Sequence, residues 1–216
     1  MYKGVIFDFD YTLADSSQGV YQCINYALER LGFPDVTYPE ACKTIGLSLE
    51  NTFIRLTHNS GKEKLEQFIK LFTQHADKVM TRNTIIYKNV PKTLTYLKGL
   101  GMKLGITSTK YRYRICEILT NNNLVSLFDF IIGGEDVSSH KPNPEGIYKI
   151  LEALKVDKKE CIYIGDSIVD AETAKNADIS YIAVLTGTTR KEDFVNYGPV
   201  LVINRIDELV DNDIWL

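Results

Sequence analysis

The stretch Gly4-Val5-Ile6-Phe7-Asp8-Phe9-Asp10-Tyr11-Thr12 opens on an apolar run and closes on two carboxylates that flank one phenylalanine. Gly4 to Phe9 reads as a buried strand, too short for a helix and rich in β-branched and aromatic side chains. Five similar runs follow at Lys103 to Ser108, Phe128 to Ile132, Glu160 to Ile164, Ser180 to Leu185 and Pro199 to Ile203. Such short Ile- and Val-rich runs suit a sheet covered on both faces. Amphipathic stretches at Pro91 to Leu100, Tyr111 to Asn121, Pro144 to Leu154 and Ile168 to Asn176 separate them. Strands alternating with helices predict an α/β fold with a parallel sheet and right-handed crossovers.

One segment breaks the alternation. From Ser16 to Arg82 the pattern is helical throughout, with apolar residues at three- and four-residue spacing in Val20 to Leu31 and in Leu65 to Val79. The reading is an inserted α-helical cap domain over 16–82, with a catalytic core formed by 1–15 and 83–216. Covering helices for the sheet are the plainer alternative. The hinges are expected near Ala14 to Ser17 and near Thr81 to Tyr87.

The chain has 216 residues, 44% of them hydrophobic, and a net charge of -3, so no basic face invites nucleic acid. No apolar run approaches the roughly 20 residues that cross a bilayer. The first strand begins almost at Met1, which leaves no room for a signal peptide. Cys23, Cys42, Cys116 and Cys161 are widely spaced, without a C-x-x-C pair, so reduced thiols in a cytoplasmic protein are expected rather than a zinc site.

Ligands of open α/β sheets bind beyond the carboxyl ends of the strands. There the first strand delivers Asp8 and Asp10, with a turn expected after Asp8, and a later strand delivers Gly165-Asp166-Ser167-Ile168-Val169-Asp170. Carboxylates crowded at one sheet edge repel unless a cation sits among them. An oxygen-only ligand set points to a hard ion, magnesium before calcium. Each residue alone has an ordinary reading: Asp166 or Asp170 as a helix N-cap, Lys141 as a solvated lysine, Ser108 as a turn residue. Their joint occurrence, in order along one chain, favours function.

The D-x-D-x-T of Asp8-Asp10-Thr12, the helical segment after it, Ser108 in Gly105-Ile106-Thr107-Ser108-Thr109-Lys110, Lys141 before Pro142-Asn143-Pro144, and the G-D-x-x-x-D of Gly165 to Asp170 together resemble the haloacid dehalogenase superfamily. The likeness spans the whole chain and is nearest to the phosphoglycolate phosphatase, beta-phosphoglucomutase and pyrophosphatase group. It implies a Rossmann-like parallel sheet core with helices on both faces, an inserted cap, Mg2+ as cofactor and a small phosphorylated metabolite as substrate. It also implies the roles. Asp8 is the nucleophile, forming an aspartyl-phosphate, and Asp10 the general acid and base. Magnesium is held by Asp8, the Asp10 carbonyl and Asp166, with Asp170 acting through a water. Ser108, Thr109 and Lys141 bind phosphate, and Thr12 orients the Asp8 loop.

Four positions depart from the group. Thr109 replaces the Asn common after the phosphate-binding Ser or Thr, and the Thr109-Lys110 ending resembles the pyrophosphatase branch. Tyr11 stands where the group usually has Gly, which implies that unusual backbone angles are not needed there; its ring is read as shaping the substrate pocket. Asp178, where Gly is frequent, is read as structural. In the cap turn Thr44-Ile45-Gly46-Leu47-Ser48-Leu49, sugar phosphomutases of the group place an Arg where this chain has Leu49, which counts against a mutase; Gly46 and Leu49 are candidate pocket residues. His58 and His75 are read as surface or helix-packing residues. Pyrophosphatase and mutase activities remain variants of the same chemistry, and a catalytically silent metabolite-binding protein is the alternative of another class. Monomer and homodimer are both open.

Overall fold

The computed structural model describes residues 1–215. The chain divides into two compact units, Met1–Ala14 with Ile86–Leu216, and Asp15–Ile85.

In the first unit, β1 (Gly4–Phe7) leads to the short β2 (Ala14–Asp15), at which the chain leaves for the second unit. That unit holds α1 (Ser17–Arg30), α2 (Tyr38–Cys42), α3 (Leu49–Thr57) and α4 (Lys62–Val79). The chain returns through β3 (Ile85–Ile86), which pairs with β2 as a two-stranded ribbon. The remainder alternates: α5 (Val90–Gly99), β4 (Lys103–Thr107), α6 (Arg112–Asn121) and β5 (Phe130–Ile132). Then come α7 (Glu145–Leu154), β6 (Cys161–Gly165), α8 (Ile168–Ala177), β7 (Ser180–Val184) and β8 (Leu201–Ile203).

Six strands form one parallel sheet in the order β5-β4-β1-β6-β7-β8. Period-two alternation sorts its side chains onto two faces. Val5 and Phe7 join Leu104, Ile106, Ile162 and Ile164 in one core, packed against Leu94 and Leu97 of α5 and Ile115 and Ile118 of α6. Ile6, Tyr163 and Ala183 join the other, with Ile147 and Ile150 of α7 and Ala171 and Ala174 of α8. β1 is shorter than its apolar run because the chain turns soon after Phe7.

Register places the chemistry. Phe7 is level with Ile106 on β4 and Ile164 on β6, so Asp8, Ser108 and Asp166 all emerge just past one row of the sheet. The chain runs from β1 to β4 on one side and reaches β6 on the other, which opens a crevice beside β1 at the carboxyl ends.

The second unit has its own core, in which Ile24 and Leu28 of α1 meet Phe53 of α3 and Phe68 and Phe72 of α4. His75 stacks on Tyr26 at 3.9 Å between ring centroids, and burial holds its imidazole pKa below the usual value. His58 ends α3 in the left-handed conformation (φ 52°). His75 packs between helices and His58 is an exposed helix end. Asp178 plays the glycine's part at the end of α8, with φ 56° and an ion pair to Lys158 at 2.7 Å. No helix among the described residues is long and apolar enough to cross a membrane.

α7 crosses β4 closely at Gly105, where a Cβ would lie 2.6 Å from Ile150 Cγ2. Gly105→Ala should therefore overpack this interface and destabilise the fold by about 1–3 kcal/mol. Urea unfolding is the check: the midpoint should fall at unchanged slope.

Candidate active site

The loop after β1 is closed on itself. The Phe9 carbonyl accepts from Leu13 N at 2.9 Å and Ala14 N at 3.1 Å, and Tyr11 N donates to the Ala14 carbonyl at 2.6 Å. This tight turn drives Tyr11 to φ 61°. The expectation of ordinary angles at Tyr11 is therefore overturned: the left-handed conformation persists without glycine. It costs a residue with a Cβ about 1–2 kcal/mol. Burial of the ring, 8% exposed, offsets that cost, and the Tyr11 carbonyl accepts from the Thr186 hydroxyl.

Asp8 leaves the ladder through one last bond, its N–H donating to the Ile164 carbonyl at 2.9 Å. Its carboxylate is 2% exposed and meets the Lys141 ammonium, Oδ1 to Nζ, at 2.6 Å. The same Nζ lies 2.7 Å from Asp170 Oδ1 and 3.1 Å from the Tyr163 hydroxyl. Asp170 is placed by a capping box at the start of α8. Its Oδ2 accepts from Ser167 N at 3.1 Å and Ser167 Oγ at 2.5 Å, and its own N–H donates to Ser167 Oγ at 3.2 Å. The helix cap is Ser167, so the reading of Asp170 as an N-cap is corrected: it is the N3 partner of that box, and it pairs with Lys141 as well.

Asp8, Asp166 and Asp170 present oxygens that all lie within 4.8 Å of one another. Thr12, fully buried, has its hydroxyl 3.5 Å from Asp166 Oδ1, so it faces that carboxylate as well as the Asp8 loop. On the other side, Asp10 Oδ2 meets the buried Lys110 ammonium at 3.2 Å. Ser108 is anchored by its N–H to the Ile132 carbonyl at 3.1 Å, and its hydroxyl accepts from Lys110 N at 3.3 Å. Thr109 is half-buried beside it; its carbonyl crowds Gly134, where a Cβ would lie 2.4 Å away.

Four buried carboxylates (Asp8, Asp10, Asp166, Asp170) face two buried ammonium groups (Lys110, Lys141), an excess of two negative charges. Burial, and then the neighbouring Asp170 and Asp10, push the Asp8 carboxyl up to about 7 against the opposing pull of Lys141. Burial, Asp170 and Asp8 hold Asp166 well above the carboxylate range. At Lys141 burial opposes the charge, but Asp170 and Asp8 outweigh it and raise the pKa. An oxygen-only donor set with this charge excess fits a divalent cation, which would restore the carboxylates to their charged form.

Reasoning from the sequence missed three contributors. In the sequence Lys110 stands out only as the last residue of the Thr109-Lys110 pair. Tyr163 is hidden inside an apolar run, where the strand face it shares with Ile6 is the one available signal. Gly187 follows β7, and a Cβ there would fall 1.8 Å from Asp166 Oδ2, so only a glycine lets the backbone approach that carboxylate. Gly46 (φ 93°) and Leu49, which opens α3 and packs on the core of its own unit, belong to the second unit.

The parallel sheet carries a buried aspartate, a lysine and an oxygen-rich acidic cluster to one edge. The chain belongs to the haloacid dehalogenase-like hydrolase family, which it matches over residues 5–184. It is 28% identical over 212 residues to a phosphoglycolate phosphatase of Yersinia pseudotuberculosis, covering 96% of this chain and 91% of that one. It is 32% identical over 181 residues to a protein of Caldanaerobacter subterraneus named as the pyrophosphatase PpaX, covering 83% and 80%. A haloacid dehalogenase-like hydrolase from Bacteroides fragilis superposes with a TM-score of 0.94 at 43% identity, covering 97% of this chain and all of that one.

A divalent cation at a hundred times its dissociation constant should stabilise the fold by about 2.7 kcal/mol. The readout is a rise in Tm that a chelator reverses. Gly187→Ala should displace the Asp166 carboxylate and weaken cation binding about 10–100-fold, as loss of a supporting contact does at other metal sites. Calorimetric titration against the wild type measures it.

Proposed function

We propose that this chain, a phosphatase of the haloacid dehalogenase-like family, is a magnesium-dependent phosphohydrolase that acts on a small phosphorylated metabolite through a covalent intermediate on Asp8. The observation that carries the reading is the Lys141 ammonium 2.6 Å from Asp8 Oδ1, inside a buried cluster with excess negative charge. A carboxylate so placed is fixed in direction, and the charge that would repel a phosphate is partly neutralised.

In this reading an Asp8 oxygen attacks phosphorus and the bond to the leaving oxygen breaks. Asp10 supplies the proton which that oxygen takes up, then accepts one from the water that cleaves the aspartyl-phosphate. The 3.2 Å contact from Lys110 steers the Asp10 carboxylate between those two tasks. Ser108, Thr109 and Lys141 hold the phosphoryl oxygens, and Thr12 braces the Asp8 loop against Asp166. Asp8, the Asp10 carbonyl and Asp166 would hold Mg2+, which when bound offsets the charge of phosphate and carboxylates. Asp170 acts at one remove, since both its oxygens are occupied by Lys141, Tyr163 and Ser167.

The second unit, Asp15–Ile85, is read as the cap that selects the leaving group, and Tyr11, Gly46 and Leu49 are kept as candidate pocket residues. The named relatives favour a phosphoglycolate-like substrate. Pyrophosphate is the second reading, favoured by the likeness to PpaX and by the extra ammonium of Lys110.

Phosphate release from a panel of phosphoglycolate, sugar phosphates, nucleotides and pyrophosphate tests this directly. Release should require magnesium, and Asp8→Asn should lower it by about 10³-fold or more. Equal release by the variant would rule out Asp8 as nucleophile, and the best substrate separates the two readings.

A further inference from the structure

Tyr163 is fully buried in β6, on the sheet face that carries Ile6 and Ala183, and nothing in its apolar strand asks for a hydroxyl. That hydroxyl nevertheless closes a triangle. It donates to Asp170 Oδ1 at 2.7 Å and accepts from Lys141 Nζ at 3.1 Å, while Lys141 itself donates to the same Asp170 oxygen at 2.7 Å. The ammonium also lies 5.9 Å from the centre of the Tyr163 ring. An ammonium group has three N–H donors. Here their acceptors are Asp8, Asp170 and Tyr163.

We propose that Tyr163 is a positioning residue which fixes the Lys141 ammonium as the third point of its anchorage and yields that N–H to the phosphoryl oxygen when substrate binds. Two contacts, to Asp8 and Asp170, leave the ammonium free to swing about the line joining them. A third removes that freedom. The Tyr163 contact is the longest of the three and its acceptor is neutral, whereas the other two are charge-assisted and shorter; it is therefore the one that an anionic oxygen displaces. After the exchange the tyrosine still donates to Asp170 and holds that carboxylate in place. Tyr181 supports the same loop from the next strand, its hydroxyl donating to the Gly165 carbonyl at 2.8 Å.

The inference rests on the phosphatase reading of this site, and Tyr163→Phe, which removes only the oxygen, tests it. Turnover at limiting substrate, kcat/KM, should fall about tenfold, equivalent to about 1.4 kcal/mol, carried by a raised KM with kcat little changed, because the contact is made in the free enzyme and exchanged when substrate binds. In a Lys141→Met background the same change should cost clearly less, because only the tyrosine's bond to Asp170 is then left to lose. The Lys141 ammonium should give a slowly exchanging ¹H–¹⁵N NMR signal in the wild type, assigned by its loss in Lys141→Met, and lose it in Tyr163→Phe. Wild-type kcat/KM in Tyr163→Phe, an equal fall in both backgrounds, or an unchanged ammonium signal would each overturn the proposal. If the wild type releases no phosphate from any substrate, it is the phosphatase reading that fails. The ammonium signal then decides the anchorage of Lys141 without reference to turnover.

Discussion

The ion pair between Asp8 and Lys141 is the constraint around which the first unit is arranged. Taking a carboxylate out of water costs several kcal/mol even after relaxation, and only a well-placed opposite charge with further hydrogen bonds offsets it. The 2.6 Å contact supplies the charge, and the Ser167 capping box and the Tyr163 hydroxyl supply the remaining bonds through Asp170. The pair is nevertheless left under strain: Asp8 is pushed up to about 7, chiefly by its burial and then by Asp170 and Asp10. A site built only for stability would replace these ions with apolar groups. Four carboxylates kept against two lysines are, in the proposed reading, a cluster organised for a cation and an anion that arrive from outside.

The sheet makes such a cluster possible because its parts come from distant points of the chain. Asp8, Ser108, Lys141 and Asp166 lie on four different connections, yet the parallel register of β1 with β4 and β6 brings three of them to one row. Close-approach glycines then set the last ångström. Gly105 lets α7 settle on β4, and Gly187 lets the chain after β7 pass beside Asp166. These two have no positive φ; their value is the missing Cβ. Tyr11 is the reverse case, a positive φ held without glycine because the turn from Phe9 to Ala14 imposes it.

How much of this could be read beforehand follows from which forces are local. The strands and crossover helices were legible because burial on both faces writes itself as short apolar runs, and Asp8, Asp10 and Asp166 because carboxylates at strand ends are conspicuous. The acidic cluster followed from residue type. Contacts that depend on three-dimensional approach left little trace. Tyr163 looks like any apolar strand residue until its hydroxyl is seen against Lys141, and Gly187 like a turn residue until Asp166 is seen beside it. At Tyr11 the reading failed for a stated reason: side-chain preference was allowed to decide a backbone angle that the closed hydrogen-bond loop determines. Asp178 succeeded because a helix end tolerates Asp in the left-handed region, where Lys158 pairs with it.

The charge balance has a consequence for selectivity. A bound divalent cation would cancel the excess of two negative charges, and the proton that Asp10 carries as general acid would leave the loaded core with one positive charge in excess. Such a field attracts every phosphate dianion alike. Orientation must come from directed donors such as the Ser108 hydroxyl, backbone N–H groups and whichever N–H Lys141 releases. Directed hydrogen bonds of this kind discriminate by geometry and recognise the trigonal array of phosphoryl oxygens in the transition state better than the ground-state ester. They say little about the group on the far side of the scissile bond. In such a site, the phosphoryl end is common to many esters, and discrimination among them falls to residues outside this cluster, which in the proposed arrangement are those of the inserted helical unit.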